Sequence, residues 1–95
     1  MALFVLTCLD KPDALPLRLA NRGAHFAYIG GLAGVLRLGG PFLDDKGDMA
    51  GSLMIIEVED LAAAKAFSAG DPYVKAGLFQ SVDIRPWRHT AGRFA

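Results

Sequence analysis

What the sequence lacks narrows it first. It holds a single cysteine, Cys8, so no disulfide can close within the chain, and it does not read as a secreted disulfide scaffold. Neither sign of charge is in excess, because ten basic and ten acidic residues cancel. Nucleic-acid binders draw their affinity from a basic surplus, so no nucleic acid is expected as a partner. The apolar opening ALFVLTCL, residues 2–9, is far shorter than the roughly 20 residues that cross a bilayer. It follows no basic region and precedes no cleavage site, which argues against a signal peptide. The default expectation is a cytoplasmic protein without a membrane partner. P-loop, dinucleotide-binding glycine, zinc-ligand and nucleophile-elbow patterns are all missing, so no cofactor and no metal is expected. Asp44, Asp45 and Asp48 lack the remaining ligands of a calcium loop and read as a solvated turn.

What is present is apolar. A hydrophobic share of 53% in 95 residues marks a globular chain, and its length predicts one domain over 1–95. So much apolar content is hard to enclose in a small monomer, and association is the usual remedy. The opening 2–9 reads as a strand with apolar residues on both faces: Phe4, Leu6 and Cys8 on one, Leu3, Val5 and Leu9 on the other. Asp13 is a candidate N-cap for a helix that runs to about residue 33, with Pro16 in its first turn. Leu15, Leu19, Phe26 and Ala33 form its expected core stripe. Residues 35–40 read as a second strand, 41–51 as a polar loop, and 52–59 as a third strand. Asp60 caps a helix over 61–69, and 78–87 make the last strand, ending near Pro86.

The resulting order, strand, helix, strand, strand, helix, strand, is the ferredoxin-like α+β pattern β-α-β-β-α-β, with both helices on one face of a four-stranded antiparallel sheet. The other face is left bare although its residues are apolar. Two such sheets packed face to face in a homodimer would cover it.

Chemistry-bearing residues gather in two places. Arg18, Arg22 and His25 fall within about 60° of one another along one edge of the long helix. An imidazole there suits proton transfer near neutral pH, and a carboxylate partner would fix its tautomer. The residues alone leave open a structural His25 and a merely solvated Arg18 and Arg22; His89 lies in a polar tail. Asp71, Pro72 and Tyr73 form the second place. Asp at an N-cap followed by Pro opens a short helix, PYVKAG, which Gly77 closes, while Gly70 is expected to stop the preceding helix in a left-handed conformation. Gly39, Gly40 and Pro41 mark a tight strand exit where backbone can approach a ligand.

Taken together, FVLTCLDKPDALPLRLANR, RGAHFAYI, LRLGGPF, GSLMIIEVEDLAAAKAFSAGDPYVKAGLF and VDIRPW resemble the YciI-like (YCII-related) family over nearly the whole chain. The resemblance implies a ferredoxin-like fold paired into a dimeric α/β barrel. It also implies a cleft with an acid–base pair at His25 and Asp71, and with Arg22, Pro72 and Tyr73 nearby. Gly23 departs from the pattern, standing where members commonly carry Pro, and predicts a softer helix at that point. Two functions stay in view. One is a small cofactor-independent enzyme of lyase, isomerase or dehalogenase type. In it His25 moves a proton on a small acidic, aromatic-derived substrate, Asp71 orients His25, and Arg22 or Arg18 binds a carboxylate or phenolate beside Gly40 and Pro41. The other is a non-catalytic module that binds a small ligand or only dimerises.

Overall fold

The computed structural model describes residues 1–93. Strand β1 spans Ala2–Asp10, helix α1 Leu15–Gly30, strand β2 Leu36–Leu43, strand β3 Met49–Val58, helix α2 Leu61–Gly70, the single turn α3 Pro72–Lys75 and strand β4 Phe79–Trp87. All pairings are antiparallel in the order β2-β3-β1-β4, so β1 and β3 lie in the middle and the two longest-range pairings meet at β1. This is the ferredoxin-like sheet that the alternation predicts.

The covered face is built by strand parity. Phe4, Leu6 and Cys8 of β1 and Met54, Ile56 and Val58 of β3 are buried there against Ala64 and Phe67 of α2. Asp60 caps α2 by accepting the Ala63 N–H at 2.8 Å. On the opposite face Leu3, Val5, Leu53 and Ile55 stay only half-covered, Leu38 is exposed, and the ion pairs Arg37–Glu57 and Arg85–Asp83 lie alongside. Among the described residues no helix is long and apolar enough to cross a membrane.

The structure corrects the reading of α1. Leu19 and Phe26, expected in its core stripe, are each 52% exposed, whereas Arg18 and His25 are its buried residues. The helix lays its polar edge on the sheet, which is possible only because that edge finds partners there. The N-cap is Ala14 without a side-chain bond, and Asp13 turns the chain at φ 56°. The helix stops at Gly30, three residues short of the expected end, where glycines are poor helix formers. It passes through Gly23 unbroken.

The β2–β3 hairpin is tighter than the expected loop over 41–51. Asp44 Oδ1 accepts the N–H groups of Lys46 and Asp48, and Gly47 supplies φ 84°, so residues 41–43 and 49–51 join the ladder. Gly70 is not left-handed. Its role is proximity: a Cβ there would lie 2.5 Å from the Tyr28 hydroxyl. Gly77 does close α3, at φ 73°. Pro86 falls inside β4, paired with Phe4, and is tolerated because β4 is an edge strand.

Candidate acid–base site

Asp71 is the joint between two helices, ending α2 and capping α3. Its Oδ1 accepts the Tyr73 N–H at 2.9 Å, the Asx cap expected of an Asp-Pro start. The same oxygen lies 2.9 Å from Nδ1 of His25, 46 residues earlier in the chain. Asp71 is 0% exposed and His25 7%, and Asp71 Oδ2 is buried with no partner among the described residues. A carboxylate oxygen only accepts, so Nδ1 is the donor, and Nε2 is the ring nitrogen left without a protein partner among the described residues.

Arg18 and His25 are two helical turns apart on α1, about 10.5 Å along the axis. The Tyr73 ring fills the gap between them. It stacks on His25 with centroids 4.1 Å apart and 15° between planes, and the Arg18 guanidinium carbon lies 4.7 Å from its centroid. Burial raises the Tyr73 phenol above its ordinary value, an effect that Arg18 and Arg22 oppose.

Arg18 is the second buried charge. It binds Asp10 in a fork, Nε to Oδ2 at 2.8 Å and Nη2 to Oδ1 at 2.9 Å, and Nη2 also donates to Ser52 Oγ at 2.9 Å. Burial acts to lower the guanidinium pKa, but the Asp10 bonds and charge more than offset this and the net shift is upward. Asp10 and Ser52 were absent from the sequence-derived site, yet strand parity carries a signal for both. Asp10 continues Phe4, Leu6 and Cys8, and Ser52 precedes Met54, Ile56 and Val58, so each is a polar group on an otherwise apolar, covered face.

These groups border a cleft of about 150 Å³ between α1 and the β2–β3 edge. Arg18, Arg22, His25, Tyr73, Gly40 and Pro41 all line it, together with Ser52 and the apolar Phe26, Leu36 and Met54. Arg22 is exposed, rests over Phe26 at 5.1 Å, and has no carboxylate within 4.0 Å among the described residues. Two expected site residues do not line the cleft. Pro72 only opens α3, and Asp71 stands behind His25 rather than in the cleft wall. Asp71 therefore meets the cleft only through His25. His89 is exposed and bonds the Gly92 carbonyl, far along the chain from the cleft residues. Asp44, Asp45 and Asp48 are exposed turn residues, and no cluster of metal-ligating side chains gathers among the described residues.

Residues 2–88 match the YCII-related domain. The chain belongs to this family. Its YCII-related membership is supported by the protein YciI of Escherichia coli O6:H1, 38% identical in a match that covers 90% of this chain and 96% of that protein. Among solved structures, the 5-chloro-2-hydroxyhydroquinone dehydrochlorinase of Burkholderia phenoliruptrix AC1100, in complex with 2,5-dihydroxybenzoquinone, is 36% identical with a TM-score of 0.85. The match covers 93% of this chain and 95% of that one. A NIPSNAP domain protein from Burkholderia xenovorans shares the fold at a TM-score of 0.56 and 16% identity, covering 100% of both chains. The YCII-related chain thus has the subunit architecture of the dimeric α/β barrel proteins.

Proposed function

We propose that this protein is a small cofactor-independent enzyme that moves protons on a hydroxylated six-membered ring, with His25 as the acid–base group and Asp71 as its positioning residue. One observation carries the reading: Asp71 occupies Nδ1 of His25, so Nε2 is the free nitrogen beside a cleft of about 150 Å³. A cavity of that size holds a benzene-sized molecule. The apolar walls suit the faces of a ring, and Arg22 at the mouth suits a phenolate or carboxylate. The dehydrochlorinase and its quinone ligand supply the reaction class.

Loss of hydrogen halide balances in such a site without an oxidant or reductant. Nε2 of His25 accepts a hydroxyl proton as a C=O forms, and the ring carbon that bears the halogen takes up a proton. A second hydroxyl then loses its proton while the carbon–halogen electron pair leaves as halide, giving the quinone. Positioned proton transfer contributes about 10²–10⁴-fold, enough for an activated ring of this kind. The test is chloride release from 5-chloro-2-hydroxyhydroquinone. The expected result is release by the native protein and a loss of about 10²-fold or more in His25→Ala. Equal release by native protein and His25→Ala would refute the assignment.

The exposed sheet face is covered by a second copy in the same reading. Leu3, Val5, Leu53 and Ile55 present apolar surface that one chain leaves half-open, and the flanking Arg37–Glu57 and Arg85–Asp83 pairs offer both signs of charge to an identical face. Light scattering is expected to give the mass of a dimer, and Val5→Lys with Ile55→Lys the mass of a monomer. A monomeric native protein would refute this pairing.

A further inference from the structure

The cleft contains one polar chain with an unused end. Arg18 Nη2 gives one proton to Asp10 Oδ1 and one to Ser52 Oγ, which exhausts it. Ser52 Oγ has therefore spent a lone pair and keeps its own proton to donate. Among the described residues nothing accepts that proton, and Ser52, although buried, lines the cleft.

We infer that the Ser52 hydroxyl is the hydrogen-bond donor that reads a second ring oxygen, with Arg18 polarising it and Asp10 holding Arg18. The inference rests on the ring-binding reading above and specifies its substrate class: rings carrying oxygen at two separated positions, one facing His25 Nε2 and one accepting from Ser52.

Three features support it. First, the Asp10–Arg18 pair is almost sealed from solvent, with both side chains 5% exposed or less. A buried ion pair roughly breaks even in stability against apolar packing, so folding alone does not account for it. A fixed, charge-backed donor aimed at a ligand does, because such a group needs no reorganisation when the ligand arrives. Second, Ser52 sits in the middle of the sheet, paired with Cys8 on one side and Pro41 on the other, so its hydroxyl is held on rigid strand rather than loop. Third, hydrogen bonds in series polarise one another, and Asp10, Arg18 and Ser52 form such a series ending at the cleft. Arg22 contrasts with this arrangement, being exposed and free of a carboxylate partner. It attracts negative charge without fixing a position.

A ring with a single oxygen satisfies only one of the two poles and leaves the other buried and unpaired, which is where such sites discriminate most. Hydroquinone and phenol are the probes, titrated calorimetrically into the native protein, Ser52→Ala and Ser52→Thr. The native protein is expected to bind hydroquinone about 5–10-fold more tightly than phenol, the worth of one hydrogen bond. Ser52→Ala is expected to erase that preference, and Ser52→Thr, which keeps a hydroxyl in the same strand, to restore it. A preference that persists in Ser52→Ala overturns the role of Ser52 and leaves ring binding standing. Failure of the native protein to bind either ring overturns the ring-binding reading and this inference with it.

Discussion

Tyr73 holds His25 and Asp71 at once. Its ring lies 4.1 Å from the imidazole and nearly parallel to it, while its backbone N–H bonds the Asp71 oxygen that meets Nδ1. Asp71 and Tyr73 are two residues apart at the α3 start, so a one-turn helix fixes both contacts to a residue on α1. Tyr73→Phe keeps the ring and the amide and is expected to leave His25 in place. Tyr73→Ala opens a cavity beside the imidazole and is expected to cost about 3–5 kcal/mol of stability. Denaturant unfolding of both variants checks this; equal stability of the two would contradict it.

Asp71→Asn preserves shape but changes what the side chain gives His25. Its amide oxygen can still accept the Tyr73 N–H, so the cap survives and the stability loss is expected to stay near 1 kcal/mol. The ring-nitrogen proton is no longer directed by a carboxylate, and ring turnover is expected to fall about 10²-fold while the melting temperature drops by about 4–8 °C. Paired rate and melting measurements separate the two effects.

Cys8 is expected to be inert. It has no exposed surface, and burial, then the charge of Asp71, pushes its thiol from an ordinary value near 9 up to about 12. Iodoacetamide at about pH 8 is expected to leave the native protein unmodified and to label it once unfolded. The linkage runs with the same sign. Since the folded pKa lies above the unfolded one, the contribution is intact below about 9 and is lost as pH rises from about 9 towards 12. Tyr28 and Tyr73, both raised first of all by burial, add to that alkaline decline. Denaturant midpoints across this window, compared with Cys8→Ala, read the thiol's share as a shallower slope.

Two glycines are required for close approach, and their substitutions should differ in severity. A Cβ at Gly51 would sit 2.5 Å from the backbone oxygen of Cys8, which cannot move without breaking the β1–β3 ladder. A Cβ at Gly70 would meet the Tyr28 hydroxyl at the same distance, but that is the tip of a side chain. Displacing it forfeits its bond to the Phe67 carbonyl. Gly51→Ala is expected to cost about 3 kcal/mol or prevent folding, and Gly70→Ala about 1–2 kcal/mol. A reversed order in thermal melts would contradict the packing described here.

The sheet and its strand order were legible because alternation places Phe4, Leu6, Cys8 and Met54, Ile56, Val58 on one face, and parity survives whatever covers it. The α1 face was not legible, because hydrophobic periodicity assumes that apolar residues go inward. Here Arg18 and His25 go inward since Asp10 and Asp71 wait beneath them, and Leu19 and Phe26 are left outside. The closeness of His25 and Asp71 joins residues 46 apart through tertiary packing, which no local pattern encodes; there the family resemblance supplied what spacing did not. The polar group at Ser52 needed only the parity rule carried one step, two residues, further along an apolar strand. The extent of the β2–β3 hairpin turned on Asp44 accepting two N–H groups, turn chemistry that composition alone does not locate.

The most direct test of the central claim is the nitrogen NMR signal of His25 with 2,5-dihydroxybenzoquinone added. The account predicts that Nδ1 keeps the signature of a proton held against Asp71 while the Nε2 resonance moves on ligand binding, and that Asp71→Asn alters the Nδ1 signature. A ligand that binds with the Nε2 resonance unmoved would contradict the account, because His25 would then not be the group that meets the ring.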